Sequence, residues 1–308
     1  MSGIADTSQA RLSTVRAAAL YMLMSLIAAS TVLPLLWMVS TSLKQPSVPY
    51  SNFLPGTPTL RHYAEALRET PFVRYYVNSI VIAAAITAGQ LITSAMAGYA
   101  FARLRFPGRN QIFFAYIATM MIPSAVTMVP LFILLTRVPI YLNDWFGTGY
   151  FTSEQFFLGR IFAGVPLGAD SYFVLIAPLL FSPFGTFLLR QFFIAIPRSL
   201  DEAAMLDGCG PWRTFTQIIL PLSKPALATL AIFTFMSAWG AFLWPLIMVN
   251  SDEMKPLPVG LAGFIGMYAT NWPLLMSGAT MMLIPMIVVF VFCQRFFVRG
   301  IQLGAVKG

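Results

Sequence analysis

The chain has 308 residues, of which 58% are hydrophobic and only 10% charged, with a net charge of +8 and a mean hydropathy of +0.75. A soluble domain carries roughly 25% charged residues, so this composition excludes an ordinary soluble protein and marks a chain built for lipid. The positive excess by itself does not imply nucleic acid, because a membrane protein acquires it from topology.

Six apolar segments are long enough to cross a hydrocarbon core of about 30 Å as helices: 17–42, 79–101, 111–135, 172–194, 225–249 and 273–293. The reading is an all-α membrane protein with six transmembrane helices. Arg11 and Arg16 precede the first segment. Its apolar run is too long for a signal peptide and lacks a small-residue cleavage site, so it reads as a retained helix after a cytoplasmic segment 1–16. Residues 43–78 form an outer segment. Within it "PTLRHYAEALRET" has helical spacing, with Pro58 or Thr59 as its start, and Tyr75 and Tyr76 fall where an aromatic belt belongs. The 102–110 turn carries Arg103, Arg105 and Arg109 and a Pro-Gly stop.

Residues 136–171 make a long outer loop, in which Thr152 or Ser153 is expected to cap a helix with Phe156, Phe157, Ile161 and Phe162 on its apolar side. Residues 250–272 mix charges, prolines and glycines, as a shaped outer loop or a plain connector would. Six spans place both termini on one side of the membrane. That side holds twelve basic residues against four acids, and the other holds seven of each. The positive-inside rule therefore predicts that N and C termini are cytoplasmic.

The span interiors contain no ionisable residue, which argues against a proton path. None of the four lysines lies in a phosphate-cradling G-x-x-x-x-G-K-[ST] loop. His62 is the only histidine and stands without metal-ligand spacing; Cys209 and Cys293 are expected to be reduced thiols. No nucleophilic triad can be assembled, so the chain reads as non-catalytic. Uphill movement of a solute then needs energy from another polypeptide.

The segment 199–221, "SLDEAAMLDGCGPWRTFTQIILP", is the polar exception. Ser199 or Asp201 is expected to cap a helix whose first turn carries Glu202; Gly208 and Gly210 stop it, and Pro211 starts another. Ala203 and Ala204 offer little bulk and would let a partner approach closely, with Met205 and Leu206 as apolar anchors.

The spacing Glu202-Ala203-Ala204, three residues, Gly208, nine residues, Ile218, one residue, Leu220-Pro221 resembles the EAA loop of ABC-transporter permease subunits. The closing "FVRGIQLGAVKG" is similar to the tail of the carbohydrate branch, the smaller maltose-type permease. This resemblance implies the type I ABC importer permease fold: a permease core over 79–296, the coupling loop at 199–221 and a cytoplasmic tail at 297–308. It implies half of a translocation pore in a bacterial or archaeal cytoplasmic (inner) membrane. The implied partners are a second permease, two cytoplasmic ATPase subunits that carry ATP and magnesium, and an extracytoplasmic solute-binding protein. No cofactor is expected on this chain, and no metal or nucleic acid.

By the same resemblance Glu202, Ala203, Ala204 and Gly208, with Asp207 beside them, are the ATPase-coupling residues. Gly304, Lys307 and Gly308 are the tail contacts, and 250–272 is the loop offered to the binding protein. Phe235, Trp239, Phe242 and Trp244 are candidate pathway aromatics that also suit simple packing. The expected solute is a sugar or oligosaccharide. A glycerol phosphate-type compound, a polyamine, and a self-sufficient secondary carrier are the alternatives.

Overall fold

The computed structural model describes residues 3–45, 52–69, 71–152, 155–157, 162–164, 167–265 and 270–305. The fold is predominantly helical, and the chain divides into two units, Met1–Thr70 with Phe264–Met281, and Pro71–Gly263 with Met282–Gly308.

In the first unit α1 (Gly3–Ser42) runs 40 residues with Pro34 inside. It is followed by α2 (Arg61–Glu69), whose start matches the sequence expectation: Thr59 Oγ1 accepts the Arg61 N–H at 3.2 Å. Between these helices Lys44 is fully buried. Its Nζ donates to the Asn52 carbonyl at 2.5 Å and lies 5.8 Å above the Trp37 ring. His62 Nε2 pairs with the Lys44 main-chain oxygen at 3.1 Å, while Nδ1 sits 3.4 Å from Glu65. Nε2 of the only histidine thus serves the turn, and Nδ1 faces a carboxylate of α2.

The second unit is organised on α3 (Phe72–Arg103), 32 residues long. It begins seven residues before the predicted second span, so Tyr75 and Tyr76 belong to the spanning helix itself. Pro71 at its N-cap sets that start, because the missing N–H is not needed there. α4 (Arg109–Ala118) and the 3₁₀ turn Thr119–Met121 lead to Ile122, which is extended with ψ 117°; α5 then runs Ser124–Phe146. The predicted span 111–135 is therefore broken at Ile122–Pro123. A residue before proline is driven out of the α region, and the long apolar helix lies further along the chain.

The segment after the 3₁₀ turn Tyr150–Thr152 is a second correction. Instead of a helix carrying Phe156, Phe157 and Phe162, β1 (Gln155–Phe157) and β2 (Phe162–Gly164) pair antiparallel, Gln155 opposite Gly164. A short aromatic run has no decisive period and satisfies its backbone equally well in a hairpin. Ser153 and Ile161 lie outside the described residues.

α6 (Tyr172–Ile176) and the 3₁₀ turn Ala177–Leu179 precede α7 (Pro183–Ala195), and the pair bends by 40°. Then come α8 (Ser199–Leu206), α9 (Pro211–Thr214), a π turn Phe215–Ile219, α10 (Leu220–Leu222) and α11 (Lys224–Trp239). The run Pro211–Leu222 meets α11 at 77°. α12 (Leu243–Met248), the 3₁₀ turn Asp252–Met254, α13 (Leu257–Ala262) and α14 (Trp272–Ala305) complete the chain. Among the described residues four helices are long and apolar enough to cross a membrane, and the number reaches six if each bent pair is one span. The predicted span 225–249 is divided by Gly240, between α11 and α12.

Small residues let α3, α7 and α11 approach closely, as is usual for helices packed in lipid. A Cβ on Gly98 would lie 3.1 Å from the Arg190 nitrogen, and one on Gly185 would lie 2.5 Å from Ser94 Oγ. Around these contacts one core cluster joins Ala95, Tyr99, Leu189, Phe193, Phe215, Ile219 and Leu230. A second joins Ile82, Ile86, Val174, Leu175, Met248, Val249 and Met254.

Candidate functional site

The segment 199–221 is presented by the end of α3 that carries Arg103. Alanine, methionine and leucine make α8 a good helix, and its first turn holds Asp201 and Glu202. The N-cap is Arg198 rather than the expected Ser199 or Asp201, and no side chain caps it. The first turn is instead closed by main-chain bonds, Asp201 N–H to Arg198 O at 2.9 Å and Glu202 N–H to the same oxygen at 3.1 Å.

Asp201 has other employment: Arg103 Nε stands 3.2 Å from its Oδ2, with the two side chains only 6% and 14% exposed. Arg103 also donates through Nη2 to the Ile196 carbonyl at 2.7 Å. The far end of α8 closes as a Schellman motif. Gly208 holds φ +77°, its N–H reaches Met205 O at 3.1 Å, and the Cys209 N–H reaches Ala204 O at 2.8 Å.

Seated this way, α8 divides its residues between two faces. Ala204 is buried at 3% exposure, whereas Glu202, Ala203, Asp207 and Gly208 are exposed. Both alanines were expected to meet a partner. Neighbouring helical residues point about 100° apart, so only Ala203 is outward and Ala204 packs the helix onto its own chain. Leu206 (90% exposed) and Met205 form an apolar tip, with Trp212 nearby in sequence and also exposed. A Cβ on Gly208 would meet nothing within 4 Å.

Beneath, Tyr99 OH donates to the Pro211 carbonyl at 3.1 Å, and its ring lies 4.9 Å from that of Phe215. Arg103 and Tyr99 are structural partners of the loop that sequence reasoning missed, and Asp201 was read only as a cap. The arginine was read as a topology signal, and nothing local links it to a residue 98 positions on.

The candidate pathway aromatics separate. Trp239 is buried at 1% exposure, stacked on Phe235 at 5.8 Å, with its indole N–H bonded to Met282 O at 3.1 Å. Phe242 is exposed beside the α11–α12 break. Trp244 alone of the four lines a cleft of about 440 Å³, with Gln90, Leu179, Ser182, Phe184, Phe233, Thr234 and Ser237 among its walls. Thr234 Oγ1 pairs with Gln90 Oε1 at 3.0 Å, and Gln90 Nε2 donates to Leu179 O at 2.7 Å.

At the other end of α3, residues 250–263 are tied down rather than free. Asn78 Nδ2 donates to the carbonyls of Glu253 (2.8 Å) and Lys255 (3.1 Å). Tyr172 OH donates to Asn78 Oδ1 at 2.6 Å, and Ser79 Oγ accepts the Leu257 N–H at 2.7 Å. Asp170 Oδ1 accepts from Asn250 and Ser251 N–H at 2.7 and 2.8 Å. Lys255 is held above the ordinary lysine pKa, first by its hydrogen bond to Asp252. Gly304 lies in α14; Lys307 and Gly308 lie outside the described residues.

Residues 89–303 match the family model described as binding-protein-dependent transport system inner membrane component, and the chain belongs to that family. It is 32% identical to the arabinooligosaccharides transport system permease protein AraQ of Halalkalibacterium halodurans, covering 92% of this chain and 93% of that one. It is 35% identical to the sn-glycerol-3-phosphate transport system permease protein UgpE of Pectobacterium atrosepticum, over 75% of this chain and 73% of that one. In fold it resembles a chain from the crystal structure of a bacterial ABC transporter involved in the import of the acidic polysaccharide alginate. The TM-score is 0.74 at 23% identity, over 93% of this chain and 98% of that one.

Proposed function

We propose that this chain is one of two permease subunits of an ATP-driven importer for a sugar or oligosaccharide in a bacterial cytoplasmic membrane. In this reading it spans the membrane six times with both termini in the cytoplasm, and does no chemistry itself. The observation that carries the coupling role is the construction of α8: braced on one face by Ala204 and the Arg103–Asp201 pair, open on the other at Glu202, Ala203 and Gly208. A rigid, short helix with an apolar tip is suited to a groove on a soluble ATPase, and the EAA spacing falls on it.

The tail residues Gly304, Lys307 and Gly308 are assigned to the same partner by resemblance. The exposed Asp252–Glu253 turn is assigned to an extracytoplasmic binding protein. The saccharide reading is supported by the arabinooligosaccharide relative, matched over 92% of this chain. The glycerol-3-phosphate relative supports the second reading, the same architecture with a phosphorylated solute.

The test is co-purification with the ATPase subunits and ATP-driven uptake of arabinotriose and sn-glycerol 3-phosphate by the assembled importer. Leu206→Asp, at a side chain that touches little of its own chain, is expected to abolish co-purification. Gly208→Trp is expected to do the same, while Gly208→Asn, which tolerates positive φ, controls for backbone strain. Wild-type assembly and uptake in both Leu206→Asp and Gly208→Trp would sink the coupling role.

A further inference from the structure

The cleft between α3, α7 and α11 falls on a common level of the chain. Gln90 is at the centre of the apolar segment 79–101, Ser182 beside the centre of 172–194, and Ser237 at the centre of 225–249. Three polar side chains at the middle of three spans are costly in lipid unless they serve one another or a solute. The backbone is also interrupted there. Between Leu179 and Pro183 the chain leaves the helix, and the freed carbonyls of Leu179 and Leu180 are taken by Gln90 Nε2 and Thr93 Oγ1, each at 2.7 Å. Non-helical backbone at membrane depth is tolerated where it is buried in protein or lines a water-filled cavity, and discontinuous helices near the midplane are a recurring way to build solute sites.

We propose that this cleft is the surface on which this chain contacts the solute in transit, and that it reads a neutral polyhydroxyl compound. Gln90 has spent one N–H on Leu179 and one lone pair on Thr234, so one donor and one acceptor remain. Ser182 Oγ accepts from the Gly185 N–H at 3.0 Å, which leaves its own proton to give. Ser237 adds an exposed hydroxyl. Each of these groups can serve a sugar hydroxyl, itself donor and acceptor.

The apolar walls are aromatic. Phe184 and Phe233 meet edge-on at 6.5 Å, and Trp244 is fixed in orientation by its N–H bond to Val174 O at 3.0 Å. Such faces suit the C–H side of a pyranose or furanose ring. The volume of 440 Å³ lies within the usual range for small-molecule sites, about 300–1,000 Å³. None of the described residues lining the cleft is ionisable, so a phosphate would lose its hydration without a cationic partner.

The inference rests on the importer reading above and deepens it, so the two must fail separately. The assembled importer, with both permeases, ATPase subunits and binding protein in proteoliposomes, is assayed with arabinotriose and sn-glycerol 3-phosphate. Ser237→Trp, which fills the cleft, is expected to lower arabinotriose uptake at least about tenfold. ATP hydrolysis stimulated by the binding protein should persist. A milder variant guards against misfolding. In a Cys209→Ser, Cys293→Ser background, the thiol introduced by Ser237→Cys is expected to react with a polar maleimide and to be protected by arabinotriose.

Wild-type uptake in Ser237→Trp, or an unreactive thiol in the assembled complex because a partner helix fills the cleft, overturns the proposal. Import of glycerol 3-phosphate but not of arabinotriose by the wild type overturns it too, since the cleft holds no cation for phosphate. A wild-type complex that moves no solute at all fails the importer reading instead.

Discussion

Arg103 and Asp201 show how one charge pair can seat a short surface helix. Both side chains are nearly buried, and the guanidinium also ties the Ile196 carbonyl that precedes α8. Breaking a buried pair on one side leaves an uncompensated charge, at a cost of about 3–5 kcal/mol, whereas replacing both partners by apolar residues is often close to neutral. Arg103→Met or Asp201→Leu alone is therefore expected to lower the melting temperature of the purified importer. The double variant should recover much of that loss, which a double-mutant cycle of thermal unfolding would measure. Additive losses would mean that the pair does not act as a unit. The same residues explain why Ala204 is not available to a partner: the helix is pulled down on that face.

At the scale of elements, α3 is the spine on which the second unit is hung. Its Arg103 end holds the α8 loop, Gln90 and Thr93 hold the broken approach to α7, and Asn78 and Ser79 hold the turn at 253–257. Each uses a side-chain hydrogen bond to satisfy backbone that a continuous helix would have satisfied itself. Close packing is the other requirement. Gly185→Leu would force a side chain into Ser94 and Leu230, which already stand 2.5 and 3.1 Å from where a Cβ would sit. Overpacking of this kind costs about 1–3 kcal/mol or more. The expected outcome is reduced yield of folded protein and early melting by fluorescence-detected chromatography, with Gly185→Ala milder. An unperturbed Gly185→Leu would show that α3 and α7 do not approach this closely.

For the whole molecule, the orientation inferred from charge predicts that reporters fused to either terminus behave alike. Alkaline phosphatase fused at the N or C terminus should be inactive, while a fluorescent protein that matures only in the cytoplasm should glow at both. Opposite results at the two ends would leave an odd number of spans.

The lipid-bound character and the family were legible in the sequence because both are local: long apolar runs, and a motif whose fixed spacings lie within twenty residues. What was not legible depends on distant partners. Gln90 meets Thr234 across 144 positions, and no periodicity in either segment announces it. Ala203 and Ala204 are identical in composition and opposite in fate, since only the packing of α8 decides which one turns inward. Pro123 carried a usable signal, but the apolar window around it ran on through the break and masked it.

The Asn78 end of α3 clamps the turn at 253–257. Arg74 donates to the carbonyl oxygen of Glu253, and Asn78 to those of Glu253 and Lys255. At Glu253 the clamp acts on main-chain oxygen, while Lys255 adds a side-chain bond to Asp252. The exposed side chain of Glu253 can therefore change in charge or shape without opening that main-chain clamp.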